Sequence, residues 1–93
     1  MAYAIWYSGR FKRQYRQLAK SGNPRILIEL DKIIGWLAAG AVLPIKNRNH
    51  KLTGDLREFW ECHAAPDWLL IYRYRHDYLV LELAATGTHS SLF

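Results

Sequence analysis

The sequence predicts an α+β fold in which an N-terminal strand and a two-helix hairpin pack on a twisted antiparallel sheet. Three observations predict it. Apolar residues recur at helical spacing between Ser8 and Gly40, β-branched and aromatic runs take over from Leu56 onward, and Gly, Pro and Asn punctuate the joints. With 93 residues, 51% of them hydrophobic, the chain has material for one domain over residues 1–93, near the lower size at which a core holds without staples.

Met1-Ala2-Tyr3-Ala4-Ile5-Trp6-Tyr7 reads as the opening strand and lacks the charged start and long apolar stretch of a signal peptide. Ser8 then caps a helix in which Phe11, Tyr15, Leu18 and Ala19 fall on one face, ended by Ser21-Gly22-Asn23. Asn23 caps a second helix with Pro24 at its first position, and Ile26, Leu30, Ile33, Ile34 and Leu37 form its core stripe until Gly40. Residues 41–53 carry Pro44 and a basic run, so they read as a loop leading to the Gly54-Asp55 turn. Asp67 to Arg75 is a strand, His76-Asp77 a short hairpin turn, and Tyr78 to Leu83 the returning strand.

The longest apolar stretch, Ile33 to Ile45, is too short to span a bilayer and is interrupted by Gly35, Gly40 and Pro44, so no membrane role follows. Cys62 stands alone, so it forms no internal disulfide; in its apolar setting it reads as a buried, inert thiol in a cytoplasmic protein. The net charge of +5 is unevenly placed. Arg10, Lys12, Arg13, Arg16, Lys20 and Arg25 all precede the first acidic residue, Glu29, and Lys46, Arg48 and Lys51 surround His50. A small basic, aromatic-rich domain fits a nucleic-acid footprint; a solvated helix face explains the first cluster equally well.

Cutting RNA requires a base for the 2′-hydroxyl proton, an acid for the leaving 5′-oxygen and cationic donors for the phosphate, and histidine serves the first two tasks best near neutral pH. His50 lies in the basic loop, His63 and Asp67 bracket a Pro-containing turn, and His89 follows a glycine turn. They form one site only if those turns share a rim of the sheet; singly, each histidine more readily caps a turn or binds a backbone carbonyl. Three histidines and an aspartate also admit zinc, although no pair has the short spacing of usual sites and there is no second cysteine.

His50-Lys51-Leu52-Thr53-Gly54, Arg57-Glu58-Phe59-Trp60-Glu61-Cys62-His63, Pro66-Asp67-Trp68-Leu69-Leu70-Ile71-Tyr72 and the ending Thr86-Gly87-Thr88-His89-Ser90-Ser91-Leu92-Phe93 resemble the YafQ branch of the RelE superfamily. Tyr7-Ser8-Gly9-Arg10-Phe11-Lys12 is similar too, so the resemblance covers essentially the whole chain. It implies a toxin of a type II toxin–antitoxin system: a ribosome-dependent endonuclease that cuts mRNA in the ribosomal A site by metal-free attack of the 2′-hydroxyl, with no cofactor. Carried over by position, the resemblance implies catalytic roles for His50, His63, Asp67 and His89, with Trp68 and Phe93 shaping or contacting the site. The roles we expect at these positions are His89 as general acid, Asp67 or His50 as base or its holder, and His63 as the group orienting substrate. Lys46, Arg48, Lys51 and Arg73 are the expected contacts to messenger and ribosomal RNA of the 70S particle.

Position 85 departs from the family, which typically has arginine before the Thr-Gly-Thr-His run; here Ala85 follows Ala84. Arginine there would stabilise the pentacoordinate phosphate by roughly a few kcal/mol. Either Arg73, Arg75 or Lys51 substitutes for it, or an arginine was replaced so that a toxic protein could be produced. The intact remaining motifs favour replacement. The expectation is a chain that cuts poorly or not at all. The resemblance further implies a cognate antitoxin, of the ribbon-helix-helix or a related DNA-binding type, whose tail wraps the toxin and through which alone the complex meets operator DNA. The alternatives are a non-catalytic RNA-, ribosome- or antitoxin-binding module, which has no need of His89, and a purely structural partner protein.

Overall fold

A computed structural model describes residues 2–93, and Met1, the first residue of the expected opening strand, lies outside them. Strand β1 (Ala4–Tyr7) leads into helices α1 (Gly9–Lys20) and α2 (Pro24–Ala38). An edge strand β2 (His50–Lys51) then opens an antiparallel succession through β3 (Trp60–Ala65), β4 (Trp68–Arg75) and β5 (Val80–Gly87), and a short helix α3 (His89–Leu92) follows. The five strands form one sheet in the order β1-β5-β4-β3-β2.

The α+β class and the helix hairpin on a sheet are as expected. The sheet, however, is mixed: β1 runs parallel to β5, pairing Ala4 with Val80 through Tyr7 with Leu83. Hydrophobic alternation reports which face a residue occupies but not the direction of a strand paired across most of the chain, so the parallel edge left no local mark. The returning strand also runs to Gly87 rather than Leu83, and its turn is a single 3₁₀ turn over His76–Tyr78 closed by Leu79 in the left-handed region (φ 54°).

Ser8 caps α1 as expected: its Oγ accepts from the Phe11 amide at 2.9 Å while its hydroxyl donates to the Ala84 carbonyl at 2.6 Å, tying the helix to β5. Asn23 makes no side-chain cap hydrogen bond. Its backbone (φ −116°, ψ 73°) lies outside the extended region from which a capping side chain reaches the amides of the first turn. Gly40 stops α2 at φ 75°, where a side chain would be strained.

Phe11 and Leu18 of α1 and Leu30, Ile33, Ile34 and Leu37 of α2 pack on Cys62, Leu70, Tyr72, Leu81 and Leu83 of the sheet, forming the core. Cys62 is fully buried there, and burial, followed by the nearby Glu61 charge, pushes its thiol up to about 12. Because side chains alternate along a strand, Glu61, His63, Leu69, Ile71 and Ala85 lie on the opposite face of the sheet. Among the described residues no helix is long and apolar enough to cross a membrane.

Candidate active site

The second face of the sheet carries two rows of paired residues. One runs across four strands as His50, Glu61, Ile71 and Ala85; the next runs as His63, Leu69 and Gly87. Helix α3 folds back over the end of the second row. A Cβ on Gly87 would meet Ser91 Oγ at 2.5 Å and Leu92 at 3.3 Å, so glycine is what lets α3 rest there. Thr88 starts α3, its Oγ1 accepting from the Ser91 amide at 3.3 Å.

That closure brings His89 to the turn between β3 and β4. Asp67 Oδ1 accepts from both the His89 amide (3.1 Å) and His89 Nδ1 (2.9 Å), leaving Nε2 as the free end of the ring. The hydrogen bond from the ring, and then that from the amide, hold the Asp67 carboxyl below its usual 3.8. The His89 ring lies 5.9 Å from that of His63, which lies 6.4 Å from that of His50. All of the expected catalytic side chains from His50, His63, Asp67 and His89 thus gather on one rim; His76 does not, stacking instead on Tyr74 with its Nδ1 3.3 Å from the Tyr3 hydroxyl.

Glu61 was not among the candidates, yet it stands at the centre of the imidazoles. His50 Nε2 is 3.1 Å from Oε2, and His89 Nε2 and His63 Nε2 are 3.9 and 4.0 Å from Oε1. The residue is only 5% exposed, and Oε1 has no hydrogen-bond partner. The sequence held one signal for it: Glu61 and His63 are two apart in a strand, hence on one face.

The remaining candidates divide. Lys46 and Arg48 line a basic hollow beside His63 and Pro66; the loop bearing them is fastened by buried Asn47, whose side-chain amide donates to the His63 carbonyl at 2.9 Å. Lys51 is exposed on edge strand β2. Trp68 packs against the core, its indole N–H donating to Thr86 Oγ1 at 2.8 Å, so it supports the rim from beneath. Arg73 is not a free cation: Nε donates to Glu82 at 3.1 Å, a terminal nitrogen to Glu58 at 3.2 Å, and the guanidinium lies 4.7 Å over the Phe59 ring. Phe93 is exposed beyond α3. Ala85 is 1% exposed, in the same row as Glu61 with only Ile71 between them, so a long side chain there would extend over Ile71 toward the imidazoles. Among the described residues no set of three or more His, Cys, Asp or Glu side chains is arranged to hold a metal ion.

Two helices on one face of a mixed sheet and a histidine–carboxylate rim on the other define the class: a small toxin of RelE-like architecture. Residues 3–93 match the profile of the bacterial toxin of type II toxin–antitoxin systems, YafQ, and the chain belongs to that family. It is 39% identical over 90 residues to the mRNA interferase toxin YafQ of Escherichia coli strain K12, covering 96% of this chain and 94% of that protein. Its fold superposes with TM-score 0.89 on a metal-bound toxin from Helicobacter pylori, 38% identical over the full length of both chains. The toxin in the E. coli DinJ–YafQ toxin–antitoxin complex is 28% identical, with TM-score 0.86 over 100% of this chain and 99% of that one.

Proposed function

We propose that this toxin is a ribosome-dependent mRNA endonuclease, and that Ala85 leaves it weakened or inactive. The observation that carries the reading is the Asp67–His89 pair facing His63. Asp67 accepts the Nδ1–H of His89 and orients the ring, and in the imidazolium that the carboxylate favours the Nε2–H is the proton given to the leaving 5′-oxygen. Opposite it, His63 Nε2, with its nearest acidic oxygen 4.0 Å away, takes the 2′-hydroxyl proton as that oxygen attacks the adjacent phosphorus. The P–O bond to the 5′-oxygen breaks, giving a 2′,3′-cyclic phosphate and a 5′-hydroxyl. Lys46 and Arg48 beside His63 hold the backbone phosphates, and Phe93 contacts the exposed bases.

The missing element is the family's arginine, whose guanidinium would reach the pentacoordinate phosphate from position 85. Arg73 is committed to Glu58 and Glu82, so it does not replace the family arginine. The test is cleavage of a defined mRNA on programmed ribosomes. The Ala85→Arg form is expected to cut within the A-site codon about a hundredfold or more faster than this chain. Equal rates for the two forms would remove the role assigned to position 85, and ribosome binding without cutting by either would favour a binding module.

The antitoxin reading draws on a separate surface. A groove of about 560 Å³ between β1, α1 and α2 is lined by Ile5, Tyr7, Phe11 and Ile34 and edged by Lys12 and Arg16, with Asp31 tied to the Tyr15 hydroxyl at 2.6 Å, which suits an amphipathic acidic segment of a cognate antitoxin.

A further inference from the structure

We infer that Glu61 is a positioning residue that holds His50 as a two-donor imidazolium, the fixed cation of this rim, rather than leaving it as a base. The case rests on what each ring nitrogen faces. His50 Nδ1 is 2.8 Å from the Arg48 carbonyl, which only accepts hydrogen bonds, and Nε2 is 3.1 Å from Glu61 Oε2. A neutral imidazole carries one proton and satisfies one acceptor; with a carbonyl on one side and a carboxylate on the other, both bonds form only when both nitrogens are protonated. The ring then has no lone pair to accept a proton from substrate. Its positive edge stays half-exposed on β2, beside the imidazoles of His63 and His89.

Glu61 is suited to this because it cannot turn away. Its side chain is 7% exposed, set between β2 and β4 by backbone pairing to His50 and Ile71, and a buried carboxylate without a charged partner is costly. Across Ile71 the facing residue is Ala85, so no cation reaches Oε1 from that side. His50 is therefore the counter-charge at hydrogen-bond distance from Glu61, His89 and His63 standing further off at 3.9 and 4.0 Å from Oε1, and the rim keeps a positive group where an anionic phosphate would sit. What that charge is for depends on the nuclease reading; that it exists does not.

The test reads ring protons directly. Long-range ¹H–¹⁵N correlation spectra of this chain near neutral pH should show both His50 nitrogens protonated, whereas Glu61→Gln, whose amide can donate to Nε2, should show a proton on Nδ1 alone. A neutral His50 in the unsubstituted chain, or a His50 pattern indifferent to Glu61→Gln, overturns the inference. If Glu61→Gln does not give a folded amide spectrum, Glu61→Asp, one methylene shorter and still charged, takes its place and should weaken the Nε2 contact without changing that of Nδ1; an unmoved Nε2 signal again overturns it. In the Ala85→Arg form, Glu61→Gln should slow ribosome-dependent cleavage about tenfold or more. Absence of any cleavage by the Ala85→Arg form would remove the nuclease reading and leave the ring-proton result standing.

Discussion

The same strands present two unlike surfaces. Toward the helices, Leu70, Leu81, Leu83 and Cys62 are fully buried, and their neighbours are apolar groups at close packing. Toward the other side, residues one position away carry His50, Glu61 and His63, where buried polar atoms including Glu61 Oε1 and His63 Nδ1 lack partners. A core tolerates few unsatisfied polar groups because each costs about 1–3 kcal/mol. A surface that keeps them therefore spends stability on reactivity, and the first face supplies the surplus that permits it.

That contrast can be broken most sharply at His89. In the Ala85→Arg form, His89→Ala should lower mRNA cleavage by about two to four orders of magnitude. Its urea midpoint should stay near that of the parent, a surface change being worth within about 0.5 kcal/mol. A large stability loss with modest loss of cutting would mean that His89 is a structural capping residue.

Leu30→Ala is the opposite experiment. Leu30 is fully buried at the centre of the helix layer, and truncation should cost about 2–5 kcal/mol in denaturant unfolding. The His89 amide and ring signals should be unchanged below the transition, since His50, Glu61, His63, Asp67 and His89 are not members of that cluster. A shifted His89 spectrum would show that the two faces are mechanically coupled.

The smallest effect is local and acid-dependent. Because hydrogen bonds from His89 lower the Asp67 carboxyl below 3.8, the native form favours the carboxylate, and the tie contributes fully above that value and is lost as pH falls below it. An acid titration should therefore move the His89 amide while the Leu30 amide holds. Simultaneous movement of both would report global unfolding instead of release of α3.

Much of the first face was legible in the sequence, because helix stripes such as Ile26, Leu30, Ile33, Ile34 and Leu37 and the cap at Ser8 are encoded within a few residues. The rim was legible in its titratable members: His50, His63, Asp67 and His89 sit at strand ends and turns, where such groups converge. Glu61 was hidden because a single acidic residue inside Trp60-Glu61-Cys62-His63 looks like an ordinary strand position until pairing places it beside His50. Arg73 misled for the converse reason. Its charge was visible, but Glu58, Glu82 and Phe59, which neutralise and cover it, reach it from three separate segments. The parallel edge between β1 and β5 was hidden by the distance along the chain over which it forms.

The Ser8 hydroxyl joins the cap of α1 to the Ala84 carbonyl, a partner 76 residues further along. Helix α1 is thus not finished as an autonomous unit: its first turn is completed only when β5 has docked beside β1. Closing so long a loop is entropically slow and brings reward only at the end, so folding should be all-or-none, with no populated species that carries the helix hairpin but lacks the rim. Native-state hydrogen exchange should report this as one cooperative unit, in which the amides of β1, the first turn of α1 and β5 open together.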